Sequence, residues 1–367
     1  MSEPITTRAN EERLLSTFLD LLKIDSPSGG EDAVMKHLQD KLAGLGLTTE
    51  RDTVGNLIGR LAGRGEPLIL CAHVDHVPPC QGITPVVADG VIRSDGRTIL
   101  GGDDTSGVAI IMELLTLIAE SRPAIEPPAL EIIFTVREEV GLAGSKGLEM
   151  SRLQARQGIV LDQGGPIGTI CVQGGSQNKL TVVVHGRRSH AGVAPEEGVN
   201  AIRVAAEAIA AMPLGRIDHE TTSNIGVIHG GEATNIVPDR VEMKGEARSL
   251  DSSKLERQTQ AMVEALQTAA SRHGATLDLS VESSYQAYKV PDDAPLVQRL
   301  MRSTRALGAE PFLVSTTGGS DSNIFNARGV QAVAFSTGMQ DVHTTKEWIA
   351  LADMVACADI LWHLLCS

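Results

Sequence analysis

The sequence predicts an α/β fold: a mostly parallel sheet flanked by helices, interrupted by a smaller domain of βαββαβ order. Three observations predict it. Short apolar runs alternate with helix-periodic stretches up to about residue 177 and again from residue 291. Between 178 and 290 the style changes, to half-polar alternating strands around two helices. In the outer parts several apolar runs stop at His, Asp or Glu, as they do where the carboxyl edge of a sheet carries a site. A chain of 367 residues also exceeds what one core usually serves, so two domains are expected.

Residues 10–24 read as a helix, with Leu14, Leu15, Phe18, Leu21 and Leu22 on one face. Ser28-Gly29-Gly30-Glu31 fits a capping box that opens a second helix, running to about residue 44. Strands follow at 56–61 and 68–72, then a polar, glycine-rich loop over 78–102. A helix at 108–119 precedes strands at 130–136 and 158–161. In the middle part, strands at 179–185, 224–229, 240–248 and 276–282 and helices at 199–212 and 253–273 give the ferredoxin-like split motif. The outer style returns with a helix at 295–307, strands at 311–315 and 331–335, and a closing helix at 348–366.

Aromatic residues make up only 2% of the chain, so the core must be built from Leu, Ile, Val, Ala and Met. The net charge of −14, with no basic stripe, argues against nucleic-acid or anionic-membrane partners. Cys71, Cys80, Cys171, Cys357 and Cys366 are odd in number and lack zinc-type spacing. They point to free thiols in a reducing compartment. The amino terminus lacks the basic-then-apolar pattern of a signal peptide, so a cytoplasmic location is expected. Asp353, Asp359 and His363 make the last helix amphipathic, and no membrane span is expected.

His73 and Asp75 close the 68–72 strand, two residues apart and on one side of an extended chain. They are either a strand cap and a turn, or a metal-binding imidazole with a carboxylate to orient it. Asp103 and Asp104 follow two glycines and open a helix. They are either caps or a place where Asp103 bridges two ions. Glu138 and Glu139 close the next strand, where neighbours should point to opposite sides. That geometry suits one metal ligand and one proton carrier. Asp162 and His343 follow two further strands. The run at 141–147 lacks the spacing of a phosphate loop. Taken together, the His, Asp and Glu residues make a two-metal site that suits Zn²⁺, with Co²⁺ or Mn²⁺ as substitutes. Such a pair activates water and polarises a carbonyl.

His73-x-Asp75, Gly-Gly-Asp103-Asp104, Glu138-Glu139, Asp162 and His343 resemble the five signature stretches of the co-catalytic zinc exopeptidases. That group includes carboxypeptidases, aminoacylases, desuccinylases and peptidase T. The resemblance runs through nearly the whole chain, and residues 94–104 and 160–165 are most similar to the peptidase T (tripeptidase) branch. It implies a catalytic domain made of 1–177 and 291–367 and an inserted lid and dimerisation domain at 178–290. It implies that His73 and Asp162 hold one ion, Glu139 and His343 hold the other, and Asp103 bridges both. Glu138 is then the general base, Asp75 orients His73, and the Asp103–Asp104 peptide bond is cis. His190 would hold the scissile carbonyl oxygen in a neighbouring subunit's site. Asn235 and Arg248 would bind a substrate carboxylate, with Gly318 and Gly319 presenting backbone N–H groups. The chain departs from the branch at His76 and Thr105, neither of them an implied ligand. The expected activity is hydrolysis of a terminal peptide bond in a short peptide, by a homodimer. The alternatives are hydrolysis of an N-acyl amino acid by the same site, or a metal-free interaction protein, against which the complete ligand set argues.

Overall fold

The structure, a computed structural model, describes residues 8–121 and 127–366. The amino-terminal residues 1–7, on which the expectation of no signal peptide partly rests, lie outside the described residues. The chain forms two compact units. One comprises Met1–Gln173, Lys289–Ser315 and Ser320–Ser367; the other comprises Gly174–Tyr288 and Thr316–Gly319.

The first unit is built on a nine-stranded sheet in which seven strands run, side by side, Thr48–Arg51, Leu57–Leu61, Pro128–Thr135, Arg64–His73, Gln157–Gln163, Gln331–Ser336 and Thr169–Gly174, and the short strands Tyr288–Lys289 and Phe312–Thr316 both pair with the last of these. The four central strands, from Pro128–Thr135 to Gln331–Ser336, are parallel to one another, and the flanking pairs are antiparallel. Ile69, Leu70, Cys71, Ile132, Ile133, Ile159 and Val160 are all buried. Strands covered on both faces need continuous apolar runs, which is what these residues supply. Helices Glu11–Leu22, Gly102–Ser121 and Leu351–Cys366 pack on one another beside this sheet.

Register decides what meets at the carboxyl edge. His73 is paired with Thr135, and Cys71 with Val160. His73 and Asp162 each lie two residues beyond a paired position, so they stand level on adjacent strands. The same strand order sets Glu138 and Glu139, which follow Thr135, beside them.

Four local expectations are corrected. The capping box at 28–31 does not form: the Ser28 hydroxyl donates to Asp75 Oδ2 at 2.6 Å, while Glu31 Oε1 accepts from the Gly29 and Arg137 amides. A hydrogen bond to a buried charged acceptor is stronger than a neutral one, so Asp75 sets where the Ser28 hydroxyl points. The loop expected over 78–102 contains a hairpin, Pro85–Ala88 with Val91–Ser94. Trp348–Ala350 adds a third strand to that hairpin, so the last helix begins at Leu351 and not at Trp348. Finally, Glu138 and Glu139 are not on a strand end. The strand stops at Thr135, and Arg137 takes a left-handed conformation (φ 53°) that starts a turn carrying both glutamates.

The second unit has the expected βαββαβ order. Its sheet runs Gly215–Arg216, Thr221–Gly230, Arg240–Ser249, Ser176–His185, Thr276–Tyr285, antiparallel throughout. Helices Ala201–Ala211 and Ser252–His273 cover one face, burying Leu180, Val182, Val184, Val241 and Met243 against Val204, Ala208, Met262 and Leu266. Among the described residues no helix is long and apolar enough to cross a membrane.

Candidate active site

Asp103 is the centre of the site. Its Oδ1 lies 3.0 Å from His73 Nε2, and its Oδ2 lies 3.1 Å from His343 Nε2. His343 Nε2 is also 2.9 Å from Glu139 Oε1. One carboxylate thus faces two imidazoles, one per oxygen. The loop delivering Asp103 opens the helix Gly102–Ser121, but Asp103 and Asp104 depart from helical dihedrals and the bond between them is cis. Gly107 lets that turn sit tightly: a Cβ there would lie 2.5 Å from Asp104 Oδ1 and 2.8 Å from Leu161 Cβ. His343 itself has φ 63°, left-handed backbone that a non-glycine residue adopts only when its surroundings impose it.

His73 Nδ1 donates to the main-chain carbonyl of Asp75 at 3.0 Å, with the Asp75 carboxylate more distant at 3.6 Å. With Nδ1 committed to that carbonyl, Nε2 is the ring atom turned to Asp103. It amends the expectation for Asp75, whose main chain is the nearer partner of the ring. Its carboxylate is engaged elsewhere: Oδ1 accepts the Glu138 amide at 2.8 Å, and Oδ2 accepts the Glu139 amide at 3.2 Å and the Ser28 hydroxyl.

The electrostatics are those of a crowded, dry, acidic cluster. Burial, then the charge of Asp162, pushes Glu138 well above the usual carboxylate range. Burial, then Asp103, does the same to Asp162. For Asp103 burial is outweighed by its hydrogen bonds to His343 and His73, and it is held low. For His73 burial is likewise outweighed, by Asp103 and then by the Glu138 and Asp162 charges, and the ring is raised. Hydrogen bonds to Asp103 and Glu139 raise His343 to about 10. Buried carboxylates at this density are costly without compensating cations. Three ring or carboxylate donors, from His73, Asp103 and Glu139, gather within 4.8 Å of one another. The mixed nitrogen and oxygen donor set and the excess of buried negative charge fit divalent ions.

Four contributors near the site were not foreseen. Glu347, buried, accepts the amides of Leu100 and Gly101 at 2.8 Å each and of Asp103 at 3.0 Å. Burial, against those amides, raises it to about 7. Asp321 accepts from Thr135 Oγ1 at 2.6 Å beneath the strand ends. His76 and Thr105, the two departures, touch each other: His76 Nε2 is 2.9 Å from Thr105 Oγ1. Ser28 is the fourth. Glu347 falls four residues after His343 and Asp321 just after the glycine loop, but nothing in a sequence marks which distant amide or hydroxyl a carboxylate will take.

The remaining expected residues belong to the second unit. His190 is exposed on the short strand Ser189–His190, which pairs with Ile236–Val237, and Ala191 donates its amide to the Asn235 carbonyl at 3.0 Å. The Gly192 amide donates to His190 Nδ1 at 3.1 Å, which puts the proton of the neutral ring on Nε2. Arg248 is already paired through Nε and Nη2 with Glu246, at 2.9 and 3.1 Å. Gly318 donates its amide to Thr316 Oγ1 at 3.0 Å. Gly319 lies under the Tyr285 ring, which a Cβ would meet at 2.4 Å.

Residues 174–274 match the family described as "Peptidase dimerisation domain", and residues 56–172 match "Peptidase family M28". The chain is 38% identical over 362 residues to the uncharacterised protein YqjE of Bacillus subtilis, spanning 96% of this chain and 97% of that one. Peptidase T of Vibrio cholerae is 28% identical over 278 residues, 75% of this chain and 67% of its own. Among solved structures, aminopeptidase PepT from Bacillus cereus is 38% identical with a TM-score of 0.87. A tripeptidase from Staphylococcus aureus is 36% identical with a TM-score of 0.92, and both alignments cover 98% of either chain. Likeness at this level over the full length, joined to a sheet edge that gathers His73, Asp103, Glu139 and His343, makes this chain a metallopeptidase and a member of the peptidase T branch of the co-catalytic zinc peptidases.

Proposed function

We propose that this metallopeptidase hydrolyses a terminal peptide bond of short peptides, using two divalent ions. The observation that carries the reading is the double engagement of Asp103, with one imidazole on each carboxylate oxygen. His73 and Asp162 would hold one ion and His343 and Glu139 the other, with Asp103 serving both. The ions are Zn²⁺, a choice supported by the mixed imidazole and carboxylate donors. When bound, they polarise the scissile carbonyl and make water more acidic.

The chain's own residues do the rest. Glu138, drawn to the site by the Asp75 carboxylate through its main chain, takes a proton from the attacking water on its carboxylate and delivers it to the leaving amine. Its burial supports this role, because a carboxyl raised toward neutrality can both take and release a proton. His190 of one copy offers Nε2–H to the developing oxyanion in the other copy's site. Arg248 and Asn235 hold the substrate carboxylate, which must draw the Arg248 fork from Glu246. Gly318 and Gly319 offer main-chain contacts. The inserted domain, 178–290, closes on substrate and pairs two copies of the chain. Free cysteines support a reducing, cytoplasmic setting.

A four-substrate panel tests the activity: a tripeptide with free ends, its acetylated form, its amidated form, and an N-acyl amino acid. Cleavage of the free tripeptide, with loss on blocking one end, is expected. Preferential cleavage of the N-acyl amino acid would replace this reading with a deacylase.

A further inference from the structure

We infer that Glu347 is a positioning residue for the metal pair: it holds the Leu100–Asp103 main chain so that Asp103 stands between His73 and His343. This rests on the dinuclear reading above. Glu347 is 1% exposed, and both its oxygens are used. Oε2 takes the Leu100 and Gly101 amides, and Oε1 takes that of Asp103, the residue whose side chain is shared. Three bonds from one carboxylate to the amides of Leu100, Gly101 and Asp103 fix that short loop more tightly than one bond would.

The segment that carries Glu347 also carries His343, four residues earlier. One short stretch therefore supplies a histidine to the centre and grips the loop that supplies the bridging aspartate. The 341–348 segment therefore touches both sides of the Asp103 Oδ2–His343 contact. The loop leaves room for this grip at Gly102, where a Cβ would lie 3.1 Å from Glu347 Oε1. On the other side of the loop a Cβ at Gly101 would lie 3.0 Å from the His76 ring, and His76 bonds Thr105. The loop is thus bounded on two sides, and Glu347 holds three of its amides ahead of Asp104.

The test compares Glu347→Gln with Glu131→Gln. Glu131 is an equally buried carboxylate that accepts the Gln154 and Ala155 amides elsewhere in the sheet. Zn²⁺ affinity is read by chelator competition, stoichiometry by elemental analysis, and stability by thermal unfolding of the metal-free chains. Outer contacts of metal ligands commonly control affinity by about 10–100-fold. Glu347→Gln should therefore bind Zn²⁺ roughly tenfold or more weakly, whereas Glu131→Gln loses stability and keeps wild-type affinity. Equal Zn²⁺ affinity in Glu347→Gln and wild type overturns the inference while leaving the dinuclear reading intact. A wild-type chain that binds fewer than two ions overturns that reading first, and the inference with it. Should Glu347→Gln not fold, hydrogen exchange of the wild-type, metal-free chain decides. Protected amides at Leu100, Gly101 and Asp103 support a preformed grip, and exchange at the rate of an open loop overturns it.

Discussion

The carboxylate of Asp75 accepts the main-chain N–H of Glu138 at 2.8 Å, tying the strand that carries His73 to the turn that carries the proposed base. The same carboxylate also takes the Glu139 amide and the Ser28 hydroxyl. Asp75→Asn keeps one carbonyl acceptor and turns an NH₂ group toward donors. Activity or metal affinity should fall about 10–100-fold, with the overall fold retained by circular dichroism. Unchanged kcat and unchanged metal binding would remove Asp75 from the machinery.

Glu138 and Glu139 should separate by experiment. Glu138→Ala is expected to keep two ions and lose about 10²–10⁴ in kcat, roughly 3–5 kcal/mol, with KM little changed. Glu139→Ala is expected to lose one ion, because Glu139 Oε1 stands 2.9 Å from His343 Nε2. Elemental analysis and tripeptide turnover on both variants check this. Retained turnover in Glu138→Ala, or metal loss there alone, would sink the assignment.

Removing metal should abolish turnover and lower the melting temperature, and Zn²⁺ should restore both. A ligand bound only by the native chain stabilises it by about 2.7 kcal/mol at a hundredfold excess over its Kd. Co²⁺ and Mn²⁺ should restore activity to different degrees. A chelator-stripped chain that still hydrolyses tripeptide at the original rate would contradict the mechanism.

Arg13 and Glu113 form a pair whose loss should cost stability without touching chemistry. The Glu113 side chain is 1% exposed and receives Arg13 Nε at 2.6 Å and Nη2 at 2.7 Å. The Asn10 amide also reaches it, at 2.8 Å. Arg13→Ala strands a buried carboxylate, a change usually worth about 3–5 kcal/mol, and the partial exposure of Arg13 argues for the lower end. Urea unfolding should show the loss while kcat of the folded variant stays at the wild-type value.

Dimerisation can be probed on the strand Thr221–Gly230. Among the described residues its outer edge is paired only at Thr222 and Ser223, leaving Val227 and Ile228, 38% and 48% exposed, along an open edge. The wild-type chain should sediment as a dimer. A Val227→Lys, Ile228→Lys double variant should dissociate at least about tenfold more readily, near 1.4 kcal/mol. An unaltered dimer would move the interface elsewhere.

What the sequence determined alone was the fold class and which ligand-type residues follow its strands, because both are written locally. An apolar run followed by His or Asp names a strand and what stands at its end, and the change of periodicity between 178 and 290 marks a second unit wherever it packs. Tertiary structure decided which groups each polar atom would meet. Nothing local tells where the Ser28 hydroxyl will donate; it goes to Asp75, a buried carboxylate 47 residues away. The turn at Arg137 replaced the strand end imagined for Glu138 and Glu139, so their separation depends on two amides held by Asp75 and not on strand alternation. Trp348 read as helix because its strand partner, Arg93, lies far away in sequence. Glu347 gave no signal at all, since its partners are backbone amides more than two hundred residues away and one amide looks like any other in sequence. Side-chain chemistry is local; the pairing of buried donors with acceptors is a property of the whole packed chain.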